Sequence, residues 1–114
     1  MTLQEVNKMI EEMADAVGCE YAYYTFDREE GEVKPPFLIF YYPNNDDLYA
    51  DDTNYCKVKA LTIEFYTDFK DFDSEALIEK VLDDYGITYD SESVFVSGEH
   101  LYEQIYTMEV VING

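Results

Sequence analysis

Hydrophobic positions near the amino terminus recur at three- and four-residue spacing, the pattern of an amphipathic helix. The apolar stripe consists of Leu3, Val6, Ile10, Met13 and Val17. Thr2 and Glu5 have the spacing of a capping box, and Gly18 is placed to end the helix in a left-handed conformation. The pattern therefore predicts a helix that begins after Thr2 and ends at Gly18.

A two-residue alternation over residues 60–71 marks the strand around which the chain is organised. Leu61, Ile63 and Phe65 alternate with polar or amphipathic neighbours, and a polar run follows. We predict a central strand over residues 55–67 that leads into a helix capped by Asp71 or Asp73. Val58 and Leu61 fall out of phase, which indicates a bulge near residues 59–60.

Shorter apolar runs predict further strands over residues 19–26, 37–42, 87–89, 93–96 and 101–112. The run 37–42 is apolar on both faces, so we expect helices over one face and a partner or aromatic packing over the other. With the short runs 87–89 and 93–96 counted together, the order is α-β-β-β-α-β-β. Because most connections have hairpin length, we predict an α+β fold with a mostly antiparallel sheet and both helices packed on one face.

Residues 44–55 are the most polar segment, and we expect them to form a long loop. Asp46, Asp47, Asp51 and Asp52 supply oxygen ligands of the kind that Ca²⁺ or Mg²⁺ prefers. Their spacing does not match a calcium-binding loop, however, and solvated acids are common in so acidic a chain. No metal or other cofactor is expected.

The composition of the chain limits the classes of function that we expect. The 114 residues suffice for one domain, 1–114, and carry 26 Asp and Glu against seven Lys and Arg, a net charge of −19. We do not expect free binding to the nucleic acid backbone, because phosphate contacts need a Lys/Arg surface that this chain lacks. No long apolar run or signal-like leader is visible, so we expect neither export nor a membrane partner.

Candidate catalytic groups are not distinctive. Carboxylate pairs can be chosen anywhere in this sequence, and Cys19 and Cys56 form no metal-binding motif. His100 has no nucleophile motif beside it, so a surface histidine is the favoured interpretation. We therefore expect no enzyme activity.

Tyrosine is abundant, with twelve residues, and it is enriched in protein interfaces because its ring buries area while its hydroxyl stays polar. Several tyrosines lie on strands or in the polar segment. The predicted interface residues are Tyr41, Tyr42, Leu48, Tyr49, Asp51, Asp52 and Tyr55.

Taken in order, several stretches resemble a family of small tail-completion or tail-terminator proteins of long-tailed phages and Gram-positive prophages. They are residues 35–42, 49–55 and 61–71, Glu75 with residues 78–82 in the second helix, and residues 101–106. The resemblance covers nearly the whole chain. It carries over no catalytic residue.

The resemblance implies a virion structural protein, present in the host cytoplasm during assembly and then in the tail. Such terminators form a ring, commonly a hexamer, that caps the head-proximal end of the tail tube. The implied partners are further copies of the chain, the major tail tube protein and the head–tail connector protein. The alternative from charge alone is an acidic DNA mimic or inhibitory module that binds another protein.

Overall fold

Two helices and six strands make up the computed structural model, which describes residues 1–26, 33–43, 48–50 and 53–113. Only the backbone is described for residues 48–50 and 53–56. The elements are α1 (Leu3–Val17), β1 (Glu20–Tyr23), β2 (Phe37–Tyr41), β3 (Leu48–Ala50), β4 (Thr53–Thr67), α2 (Phe72–Asp84), β5 (Tyr89–Val96) and β6 (Leu101–Ile112).

Both helices begin at the predicted caps. The Thr2 hydroxyl accepts a hydrogen bond from the Glu5 backbone N–H at 3.1 Å, and the Glu5 carboxylate accepts one from the Thr2 N–H at 3.3 Å. Gly18 follows α1 with a φ of 80°, a conformation that glycine adopts without a steric penalty. Asp71 caps α2 by accepting from the Ser74 N–H at 3.1 Å.

The main sheet has the strand order β1-β2-β4-β6-β5, with β4 at its centre. Neighbouring strands are antiparallel except β1 and β2, which are parallel. The α+β class and the mostly antiparallel sheet are confirmed. Parallel pairing of β1 with β2 differs from the expected hairpin, and it is possible because about a dozen residues connect the two strands.

The predicted loop over residues 44–55 is partly wrong, because it contains β3 and the start of β4. Leu48 pairs with Cys56, Tyr49 with Asn54 and Ala50 with Thr53, which makes a hairpin. β6 pairs with β4 only from Lys57 onward. Residues 53–56 of β4 therefore continue beyond the main sheet, paired with β3.

The predicted bulge near residues 59–60 is also wrong. The register of β4 with β6 runs unbroken from Lys57 to Thr67. Val58 and Leu61 consequently lie on opposite faces, and both are buried, at 7% and 1% exposure. A central strand can be apolar on both sides, so the out-of-phase pattern reflects burial of both faces.

One face of the sheet packs against α1 and α2 and holds the core. Its side chains alternate along each strand with those of the other face, and the fully buried members include Leu38, Ile63 and Tyr106. Val6, Ile10 and Met13 from α1, with Ile78 and Leu82 from α2, complete the cluster. The Tyr106 hydroxyl donates to Glu79 of α2 at 3.1 Å, which ties the sheet to the helix.

Candidate interaction surfaces

The sheet face opposite the helices, which we call the open face, is not covered by any element within the described residues. In β2, Leu38 and Phe40 are buried under the helices, whereas Phe37, Ile39 and Tyr41 lie half-buried on the open face. Their pairing partners on β4 are Tyr66, Glu64 and Thr62. The open face is therefore an aromatic surface with carboxylates at its centre.

Aromatic rings pack against one another across this face. Phe37 stacks on Tyr66 with 4.9 Å between ring centroids, and Phe26 meets the edge of Phe37 at 5.5 Å. Tyr24 stacks on Tyr41 at 5.5 Å. The expectation of aromatic packing over the second face of β2 is thus confirmed.

Glu64 and Glu103, which we call the carboxyl pair, lie at the centre of the open face on β4 and β6. Glu64 accepts hydrogen bonds from the hydroxyls of Tyr41 at 3.3 Å and Tyr66 at 3.2 Å. Burial, with a hydrogen bond to Glu64 and the charge of Glu64, raises the pKa of Glu103 to about 7. The pair therefore loses its last proton near neutral pH.

The charged strand residues of the open face are all acidic, whereas Lys34 and His100 line a cleft at its end beside Phe37 and Leu101. By strand register, the charged residues on this side of the main-sheet strands are Glu20, Glu64, Asp90, Glu92, Glu103 and Glu109. Lys57 and Lys59 of β4 alternate onto the helix-covered side. Neither described ion pair, Lys70 with Glu75 or Lys80 with Asp84, includes a residue of this face.

Three exposed phenylalanines, which we call the phenylalanine rim, lie on the segments around Lys70: between β4 and α2, at the start of α2, and on β5. Phe69, Phe72 and Phe95 are 58%, 69% and 52% exposed. Phe72 lies 5.1 Å from the ammonium of Lys70, which also donates to Glu75, Ser93 and Gln104. Large exposed apolar side chains grouped in one region are typical of protein interfaces.

Sequence reasoning missed the phenylalanine rim and the carboxyl pair. Phe69 and Phe72 stand out in retrospect as apolar residues inside a polar capping segment. No sequence signal identifies the carboxyl pair, because Glu64 and Glu103 come from strands that are distant in the chain.

A third exposed aromatic group, the tyrosine edge, lies at the opposite edge of the sheet. Tyr21, Tyr23 and Tyr24 are 38%, 51% and 54% exposed on or just after β1. Within the described residues β1 and β5 each pair with one strand, so both edges have backbone groups available for pairing.

The predicted interface residues do not form one surface. Tyr41 lies on the open face, whereas Tyr42 packs against the core cluster, with its ring 6.0 Å from that of Tyr23. Leu48, Tyr49 and Tyr55 lie on the β3–β4 hairpin. Asp51 and Asp52, with the cation candidates Asp46 and Asp47, lie outside the described residues.

Candidate catalytic or metal-binding groups are dispersed. Burial, with the charge of Glu20, raises the pKa of the Cys19 thiol to about 11, so it stays protonated at neutral pH. His100 is exposed in the turn between β5 and β6. In the part of the chain that the structure describes, no cluster of His, Cys, Asp and Glu is arranged to hold a metal ion. None of the described helices is both long and apolar enough to span a membrane.

Comparison with known proteins gives a fold relationship. No protein-family model and no curated protein sequence matches this chain. Among solved structures, the fold is similar to that of a chain in the virion of a native gene transfer agent particle, with a TM-score of 0.69 and 13% sequence identity. The match covers 99% of this chain and 96% of that chain, so the two share one fold over nearly their full lengths.

Proposed function

We propose that the chain is a structural protein of a phage or phage-like virion. The observation that carries the proposal is the fold shared with a chain of the gene transfer agent particle over nearly the whole of both chains. The order of strand and helix motifs, which resembles tail-terminator proteins, supports the same class. A virion structural protein works by binding other proteins, and the exposed aromatic residues of this fold provide surfaces suited to such binding.

Within the virion, the role that we propose is that of tail terminator. We propose that the subunits form a ring, a hexamer, on the head-proximal end of the tail tube. The ring would contact the tube protein on one side and the head–tail connector on the other. Two features favour a ring: the sheet has two different edges, and exposed aromatics lie beside each of them. Contacts between two different surfaces of identical subunits generate closed rings when the rotation closes.

Deletion of the gene tests this role. We expect intact heads together with tails of uncontrolled length or tails that are not joined to heads, seen by negative-stain electron microscopy. The wild-type gene supplied in trans should restore normal particles, and so should the Lys80→Ala variant, because that exposed ion pair lies on the outer side of α2. Normal particles from the deletion strain would overturn the proposal.

The acidic strand residues of the open face favour a second candidate, a DNA mimic that occupies a DNA-binding enzyme. A mimic distributes its binding energy over many charges, so neutralising single acids should cause many small losses, and binding should weaken steeply with salt. Virion assembly instead concentrates energy in a few buried aromatic anchors. Normal particles after deletion, with salt-sensitive capture of a DNA-binding enzyme that DNA competes away, would favour the mimic.

A further inference from the structure

The open face combines half-buried aromatic rings with carboxylates that no described cation neutralises. Phe37, Tyr41 and Tyr66 supply the rings, and the Tyr41 and Tyr66 hydroxyls both donate to Glu64 of the carboxyl pair. Isolated surface acids are normally surrounded by water, whereas these are partly withdrawn from it. Because the carboxylates and the aromatic rings belong to one surface, a ligand of this surface should both pair with the carboxylates and pack against the rings.

We propose that the open face docks onto a basic surface of another virion protein, with an arginine of that protein placed against the carboxyl pair. The inference rests on the proposed virion function and names the chemistry of the partner. Charge complementarity carries it, because the six charged strand residues on this face are all acidic.

Arginine fits this surface better than lysine. Its planar guanidinium donates two parallel hydrogen bonds to a carboxylate and stacks on aromatic rings, which an ammonium does less well. Both tyrosine hydroxyls already donate to Glu64, so their rings are held beside the carboxylates. A guanidinium at this position would contact acceptors and ring faces together.

A second copy of the chain is a poor occupant for the same reason. A symmetric contact would place one acidic face against another, and like charges brought together across an interface are destabilising. A head-to-tail contact would need a basic surface on the second copy, and the chain has seven Lys and Arg against 26 Asp and Glu. The few lysines described on the strands, Lys57 and Lys59, alternate to the opposite side. A second copy, a nucleic acid and a metal ion are outcomes that the experiments below would distinguish.

Binding of a cation here should depend on pH. The groups that face Glu103 are Glu64 and Tyr66 on β4, Glu92 on β5 and, through Glu64, Tyr41 on β2. Burial and the adjacent Glu64 favour the protonated form of Glu103, which loses its proton near neutral pH, and a cation bound beside the pair would favour the charged form. Arginine binding therefore releases a proton and strengthens as the pH rises through neutrality.

A titration of the purified, ¹⁵N-labelled chain tests the chemistry of the face. The ligands are the peptide acetyl-Gly-Arg-Gly-Arg-Gly-amide and its lysine analogue, and amide shifts are followed by NMR. We expect shifts at residues 39–41, 62–66 and 101–105, with tighter binding of the arginine peptide. Binding at pH 5.5 should be roughly tenfold weaker than at pH 8, because Glu103 is then protonated.

A matched pair of double variants shows whether the affinity for the arginine peptide depends on the position of the acids or on the net charge of the chain. Glu64→Gln/Glu103→Gln should weaken the arginine peptide about tenfold, the effect of losing one charge-assisted contact. Glu11→Gln/Asp83→Asn removes the same charge from exposed sites on the two helices and should change the affinity little. Equal losses in both variants, or shifts spread over the acidic helix surfaces, would overturn the proposal.

Photo-crosslinking in assembled particles identifies the partner. The crosslinker p-benzoylphenylalanine replaces Ile105 on the open face or, as a control, Leu77 on the exposed side of α2. Ile105 should give a product with a different virion protein, through a peptide that contains arginine. These outcomes count only if both variants are present in particles. The inference would then be overturned by a crosslink to another copy of the chain or to nucleic acid. It would also be overturned if the Ile105 variant gave no more product than the Leu77 variant.

If neither variant enters particles, the proposed virion function fails instead. The peptide titration then still decides whether the open face selects arginine, so the two failures are distinguishable.

Discussion

The two faces of the main sheet are built from the same strands but differ in what covers them. On the helix-covered face, Leu38 and Ile63 are inaccessible to solvent. On the open face, Phe37 and Ile39 alternate with them and remain half-exposed. β2 is equally apolar on both sides, so the chain carries more apolar surface than its own helices cover. That surplus is the basis of the proposed docking surface.

The faces also differ in how they hold charge. Under the helices, the Lys70 ammonium lies 2.8 Å from Glu75 and donates to Gln104 at 2.9 Å, so the charge there is paired. On the open face, Glu64 and Glu103 are two acids side by side. Within the described residues, the Lys70–Glu75 charges are thus paired, whereas no described ion pair includes the carboxyl pair.

The largest expected effect separates the two faces along β2. Leu38→Ala should lower the free energy of unfolding by about 3 kcal/mol, because it leaves a cavity in the core. Ile39→Ala, one position later on the open face, should cost about 1 kcal/mol, because its side chain already contacts water. Urea unfolding followed by circular dichroism measures both. Equal losses would contradict the contrast between the faces.

A second pair of variants compares paired charges inside and outside the fold. Lys70→Met should cost about 2 kcal/mol, because it removes the counter-charge of Glu75, which is 7% exposed. Lys80→Met breaks the exposed Lys80–Asp84 pair and should cost about 0.3 kcal/mol. The same unfolding experiment applies, and a small effect at Lys70 would show that Glu75 is solvated.

The third comparison concerns the carboxyl pair, and its expected effect has the opposite sign. The folded state holds the Glu103 proton more tightly than the unfolded chain, so stability falls as pH rises from about 4.5 to about 7. Glu103→Gln removes this loss and should stabilise the isolated chain by about 1 kcal/mol at pH 8, with little effect at pH 4. Thermal melts at both pH values measure it.

Glu109→Gln is the matched control for this effect, because Glu109 lies exposed on the same face of the same strand. Its melting temperature should stay close to that of the wild type at both pH values. Equal stabilisation by the two variants would attribute the gain to lower net charge.

Local signals in the sequence predicted the helices well. Thr2 with Glu5, Gly18 and Asp71 act within one turn of their helices, so the residues that determine each end are neighbours in the chain. The period-two pattern of β4 likewise predicted which of its side chains lie under the helices.

Pairing between distant segments could not be predicted in the same way. The parallel pairing of β1 with β2 and the place of β3 beside β4 depend on contacts across the sheet. The carboxyl pair arises because β4 and β6 align Tyr66 with Glu103, a register that neither strand encodes alone. Tyr41 and Tyr42 are adjacent in sequence but lie on different faces of the sheet, so the abundance of tyrosine could not show which of them lies on the open face.

The length of β4 has a mechanical consequence. The strand is continuous from the β3 hairpin through the centre of the sheet, with β6 beside it from Lys57 to Thr67 and β2 on its other side. Its hydrogen bonds to these neighbours run perpendicular to the strand. Tension applied at the hairpin along β4 therefore loads these bonds in shear, all together, and does not peel them apart one by one. If the subunit is held by its β3–β4 hairpin, a pulling force therefore acts first on β4 and its hydrogen bonds to β2 and β6.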